Sequence, residues 1–280
     1  MYTRFRPRLR SRHPSHEYLR PRLKNLPLYP FKSVIRLGSS TDMKDTVTNG
    51  GDRIEINTIE SVKNSASKLR MKKHFSANDV KTAKWVWVNS NNTGNINLEE
   101  SLGFPLISKS IYGSRGLGNI KHDTKEDLEL WMEGKDLSRY IFEEFKNFVR
   151  EYRLHITKEG CFYACRKVLR RDTPEEHRWY RNDDYCNWIR EYGDNQELFD
   201  KPVNWEDIVQ ESVKALDAVG LDIGAVDVKV QSATNRNGEI RENPEFFIIE
   251  INSAPSFGDI TKVKYAEEID RVLNRKYNNL

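Results

Sequence analysis

The 280-residue chain is poor in cysteine and in long apolar runs. Its three cysteines, Cys161, Cys165 and Cys186, are odd in number and set among charged residues. They read as reduced thiols in a cytosolic setting, not as a disulfide scaffold. His177 would be a fourth zinc ligand, but the spacing fits no common zinc pattern. No apolar run nears the roughly 18 residues of a membrane-crossing helix, so no membrane partner is expected. The start also lacks the apolar core of a secretory signal. There is no internal repeat and no long low-complexity tract. Neither a Walker loop nor a dinucleotide-binding glycine fingerprint is present.

What is present is charge and aromatic mass. Charged residues make up 31% of the chain, and its 12 Phe, 12 Tyr and 6 Trp can build a core. The net charge of +4 is unevenly spread. Residues 1–25 carry eight basic side chains and one acid, Glu17, leaving the remainder net negative. Five of the ten prolines fall in the first 30 residues, which argues against a regular helix there. Residues 1–32 therefore read as a basic arm. It either meets an acidic partner or nucleic acid, or wraps the chain's own acidic body.

Beyond the arm, strands and helices mix. Strands are predicted at 33–40, 53–57, 85–88, 104–110, 119–122, 139–145, 151–157, 161–170, 221–231 and 245–252. Helices are predicted at 58–75, after the Thr124 cap, at 205–219 with Gly220 as its stop, and from about 260 to 276. Residues 89–100 read as a polar connection and 172–203 as a long loop for substrate recognition or for packing. Antiparallel hairpins point to an α+β fold.

Three places carry chemistry. In "FPLISKSIYGSRGLG", Lys109 precedes Gly113, Ser114, Arg115, Gly116 and Gly118. Such glycines let backbone N–H groups converge on an anion, although an ordinary flexible hairpin has the same composition. In "EEFKNFVREYRLHI", Glu151, Arg153 and His155 alternate and share a strand face, as binding groups or as a salt-bridged surface. In "GAVDVKV", Asp227 and Lys229 share one face of their strand, and in "IIEINSAP", Glu250 and Asn252 likewise share one face of theirs. If these two strands pair, Asp227 lies beside Glu250 and Asn252, a hard-oxygen set suited to Mg²⁺.

The order of these segments resembles the ATP-grasp superfamily, in particular D-alanine–D-alanine ligase and short, often virus-encoded carboxylate–amine ligases. The likeness covers about residues 60–260. It implies two α+β lobes gripping ATP and a reduced N-terminal domain, divided as arm 1–32, reduced domain 33–90, small lobe 91–145 and large lobe 146–280. It implies that Lys72, Lys109 and the loop Gly113, Ser114, Arg115, Gly116 and Gly118 hold phosphates. Glu144, with Glu143 and Phe145 beside it, would read adenine, and Glu151 the ribose. Asp227, Glu250 and Asn252 would carry Mg²⁺ or Mn²⁺, and Arg153, with Arg166 or Lys167, would stabilise the developing oxyanion. The implied activity is ATP-dependent amide formation through an acyl phosphate, from a small-molecule or peptide carboxylate and an amine. The implied setting is cytoplasmic, that of the host if the gene is viral or from a phage. Two alternatives are a kinase on the same site and a nucleic-acid-binding protein that works through the arm. Two departures from the family pattern are Pro255-Ser256 in place of proline-glycine, and "RLGSST" (36–41) as the nearest match to a substrate loop.

Overall fold

The computed structural model describes residues 5–11, 13–41, 53–89, 97–113, 116, 118–181 and 184–279. Three sheets organise them. The first is parallel, with β1 (Arg8–Ser11), β2 (Lys32–Leu37) and β3 (Arg53–Ile56) in order β1-β2-β3. Its apolar residues share one core with α1 (Arg20–Lys24) and the long α7 (Asp259–Asn278), through Leu9, Leu23, Ile35, Ile56, Tyr265 and Ile269.

The described residues of the basic segment, 5–11 and 13–32, are therefore packed into the first sheet and its core. Leu9 faces inward between exposed Arg8 and Arg10, and Leu19 and Leu23 are buried. Enough leucine and aromatic surface is interleaved with the arginines to repay ordering them. A helical turn forms despite the prolines because Pro14 and Pro21 sit at first-turn positions, where no N–H is needed.

The second sheet is antiparallel, β4-β7-β5-β6, from β4 (Trp85–Trp87), β5 (Leu106–Ser110), β6 (Asn119–His122) and β7 (Tyr140–Glu144). It packs with α4 (Leu98–Leu102) and with α5 (Lys125–Met132), whose Thr124 cap accepts from the Asp127 amide. The third sheet is β10-β9-β8-β11-β12, from β8 (Arg150–Thr157), β9 (Gly160–Leu169), β10 (Cys186–Arg190), β11 (Ile223–Val230) and β12 (Phe246–Asn252). Helix α6 (Trp205–Val219) buries Ile208, Leu216 and Val219 against one face of it and ends at left-handed Gly220.

Two expected elements differ. The helix at 58–75 is two, α2 (Ile59–Ala66) and α3 (Lys68–Ala77), because Ser67 leaves the helical region and caps the second through the Arg70 amide. The expected loop 172–203 contains β10, an edge strand on β9. Edge strands bury little, so no periodicity announces them. Among the described residues, no helix is long and apolar enough to cross a membrane.

Asn57 joins the first sheet to the third. Its side chain accepts from the amides of Asp222 (2.8 Å) and Ile223 (3.1 Å) and donates to the carbonyls of Arg36 and Ile223. A bridge between Thr82 and Ile248 ties the chain before β4 to β12. Gly38, at φ +74°, lies against Ala254, and an added Cβ would stand 2.6 Å from the Ala254 Cβ. Gly38→Ala should lower stability by about 2–4 kcal/mol, from overpacking plus left-handed strain. Gly134→Ala, at φ +68° but in open space, should cost only about 1–2 kcal/mol. Urea denaturation of the two variants measures the difference.

Candidate active site

The third sheet forms the floor of a cleft of about 450 Å³ whose other wall comes from β5 and β7. Strands β8 and β11 pair so that Arg153 stands opposite Asp227 and Glu151 opposite Lys229, while Glu151 also faces Lys167 on β9. Because residues two apart share a strand face, this register brings all five side chains to the cleft side. Arg153 grips Asp227 with both ends of its guanidinium, Nε to Oδ1 and Nη2 to Oδ2, each at 2.7 Å. Lys167 bridges Asp227 Oδ2 (3.2 Å) and Glu151 Oε1 (2.9 Å). Burial alone would raise the Asp227 pKa, but Arg153 and Lys167 outweigh it and hold the carboxyl far below the usual carboxylate range.

Strands β11 and β12 do pair, with Asp227 opposite Glu250 and Ala225 opposite Asn252. A bulge after Asp227 shifts the register by one, so Phe247 pairs with Lys229 while Glu250 pairs with Asp227. As a result Phe247, Ile249, Glu250 and Asn252 all line the cleft, which strict alternation forbids. Asn252 donates to Glu250 Oε1 at 3.0 Å.

On the opposite wall, Lys109 meets Glu143 at 2.6 Å, and Lys72, from α3, reaches the other Glu143 oxygen at 3.1 Å. Glu143 is fully buried; desolvation raises its pKa, but the two lysines prevail and lower it. Burial lowers the Lys72 pKa, and the nearby Lys109 charge adds to this while Glu143 opposes it.

A strap from the segment after β9 covers one end. Lys229 donates to the Trp179 carbonyl at 3.2 Å, Arg181 donates to the Val149 carbonyl at 3.0 Å, and Trp179 packs edge-on to Phe145. A Cβ added at Gly116 would stand 3.4 Å from the Tyr180 ring. Burial pushes the Lys229 ammonium down to about 8, Glu151 opposing and Arg181, Lys109 and Lys167 adding to the shift. At the far end the lining is His13, Ala254, Pro255 and Ser256. The basic segment closes it: His16 contacts the Pro255 carbonyl at 2.8 Å, and the Phe257 amide donates to Ser15.

Lys109, Gly116, Glu143, Glu144, Phe145, Glu151, Arg153, Lys167, Asp227, Glu250 and Asn252 thus meet in one cleft. Lys72 is behind the wall, bonded to Thr82 and Glu143. Gly113 and Gly118 are off the lining, and Ser114 and Arg115 lie outside the described residues. Arg166 is a correction. Next to Lys167 on β9, it projects from the opposite face, where it pairs with Asp200 at 3.1 Å and caps the Leu198 carbonyl. Sequence reading missed Phe247 and Ile249, which only the bulge turns inward, and His13, whose basic surroundings masked it.

Among the described residues no three His, Cys, Asp or Glu side chains form a metal cluster. The expected set is two carboxylates and an amide. Its oxygen donors fit a hard divalent cation: Asp227 Oδ2 accepts from both Arg153 and Lys167, whereas Oδ1, which accepts from Arg153 Nε, keeps a second lone pair.

No family model matches the sequence, and no match emerges among curated proteins. Solved structures do match. One is the D-alanine–D-alanine ligase from Bacillus anthracis complexed with ATP, at 15% identity and a TM-score of 0.59, over 97% of this chain and 95% of that one. Another is the L-amino acid ligase from Bacillus licheniformis, at 12% identity and 0.53, over 90% and 68%. A third is the carboxyaminoimidazole ribonucleotide synthase from Aspergillus clavatus complexed with ATP, at 15% identity and 0.54; 80% of this chain is matched, spanning about half (54%) of that one. These are ATP-grasp enzymes. The chain has the ATP-grasp fold. Within that fold the cleft lies between the second and third sheets.

A carboxylate held below its ordinary pKa contributes stability above that value and loses it as acid protonates the folded state. Stability should therefore fall as the pH drops below about 4. Glu143→Gln cannot titrate and should fall less steeply over the same range. At neutral pH it should be less stable by about 3–5 kcal/mol, because Lys109 and Lys72 lose their counter-charge. Urea midpoints measured from neutral to acidic pH test both statements.

Proposed function

We propose that the protein is an ATP-dependent carboxylate–amine ligase acting on an amino-acid, peptide or protein carboxylate. The observation that carries this reading is the Asp227–Arg153–Lys167–Glu151 lattice facing Lys109 across one cleft in an ATP-grasp fold. Buried basic groups already oriented by acids supply fixed positive charge without reorganisation when a polyanion enters. ATP would lie along the floor, base toward Phe145 and Phe247, phosphates toward Lys109 and Asp227. The stretch from Phe247 to Asn252 spans about 17 Å of strand, room for a nucleoside triphosphate.

Asp227, Glu250 and Asn252 would hold Mg²⁺, which when bound neutralises phosphate charge. A substrate carboxylate oxygen attacks the γ-phosphorus and ADP leaves, giving an acyl phosphate. The amine nitrogen then attacks the acyl carbon, phosphate leaves, and the nitrogen loses a proton to give the amide. Arg153 and Lys167 stand where negative charge builds, and Lys109 orients the triphosphate; positioning and charge neutralisation are what phosphoryl transfer requires. Tyr180 and Gly116, which both line the cleft, would exclude water from the acyl phosphate. Division of the chain into an N-terminal domain and two lobes follows from the same reading.

Incubation with ATP, Mg²⁺ and panels of acids and amines, followed by mass spectrometry, tests the proposal. An amide with ADP and free phosphate is expected, and a phosphate ester would instead make the protein a kinase. Asp227→Asn should lower ADP release by at least about a hundred-fold. Arg166→Ala should stay within about three-fold of wild type, because that side chain faces away from the cleft.

A further inference from the structure

We propose that Lys229 reads the base of the bound nucleotide, its buried ammonium donating to acceptor atoms on the base edge from within the slot between Phe145, Trp179 and Phe247. The inference rests on the nucleotide reading of the cleft and goes beyond it to base selection. Lys229 is 9% exposed and lines the cleft. Its ammonium carries three N–H donors and makes one hydrogen bond, to the Trp179 carbonyl at 3.2 Å. Among the described residues no carboxylate lies within 4.0 Å of it, although Glu151 stands opposite it in the β8–β11 register. A buried cation with one acceptor is incompletely solvated, and that cost is recovered when a ligand supplies further acceptors.

The position along the cleft indicates which part of the ligand this is. Asp227 and Glu250, the charged pair assigned to the phosphate end, lie one pleat further along β11 and β12. Around Lys229 three aromatic rings stand among the charged side chains of Glu151, Lys109 and Arg181. The Phe145 ring centroid is 5.9 Å from Nζ, Trp179 packs edge-on to Phe145, and Phe247 is the cross-strand neighbour. That slot suits a flat heteroaromatic ring. An ammonium has no lone pair, so it accepts nothing from an exocyclic amino group. A purine with adjacent N7 and 6-oxo acceptors engages two of its donors, as lysine does on the acceptor edge of guanine.

Binding of ATP and of inosine triphosphate, without acid substrate, separates the possibilities by calorimetry. The two ligands differ at position 6 and at the N1 proton. Lys229→Met should lower the affinity for inosine triphosphate relative to ATP by about ten-fold, and Lys229→Arg should preserve the wild-type ratio. In the wild type, purine riboside triphosphate, which has no 6-substituent, should bind about ten-fold more weakly than inosine triphosphate, a comparison that does not depend on any variant folding. A ratio in Lys229→Met within two-fold of wild type, or equal wild-type binding of the two 6-variants, overturns the assignment while leaving the nucleotide site standing. If none of these nucleotides binds the wild type, the nucleotide reading falls and this inference with it.

Discussion

Removing a carboxylate from water costs several kcal/mol, and Asp227 is buried on the cleft floor nonetheless. Arg153 holds both of its oxygens and Lys167 one of them. The arrangement exists only because β8, β9 and β11 are in one register. A slip of a single residue would turn Asp227 toward α6 and leave Arg153 and Lys167 without it. An isolated buried pair of this kind seldom adds net stability over an apolar packing. Its consequence here is positional: four charged side chains are held without slack on a rigid floor, with Glu250 and Asn252 at its edge.

The opposite wall repeats the device with the same signs. Glu143 is the buried acid, and Lys109 and Lys72 are its two cations. Lys72 comes from α3, and its bond to Thr82 links it to the bridge with Ile248 on β12. The wall and floor are thus connected through buried polar contacts as well as through the strap, where Lys229 and Arg181 hold backbone carbonyls. On the proposed reading, a polyanion that enters finds its counter-charges already oriented, and the acids that oriented them remain in place behind.

Much of this was legible in the chain. The alternation in "AVDVKV" and "REYRLHI" reports strand faces directly, since side chains two apart must point the same way. The 205–219 helix announces itself through its apolar stripe and terminal glycine. The basic segment was harder to read, because arginines outnumber the few leucines and aromatics that anchor it, and burial of Leu19, Leu23 and His16 depends on α7 and residues 255–257, far away in sequence. Choosing between Arg166 and Lys167 required the pairing of β9 with β8, which selects one face.

By itself, the sequence determined which residue types are available and their local periodicity: acids and lysines within apolar strands, glycines after Lys109, and the α+β alternation of elements. Those follow from short-range sterics and from the two-residue and 3.6-residue repeats. Tertiary structure alone decided which charges meet. The bulge that turns Phe247 and Ile249 inward, the placement of Lys72 behind Glu143, and the Trp179 carbonyl over Lys229 all depend on contacts between segments distant in the chain. Strand register and long-range packing, which no local pattern encodes, set them.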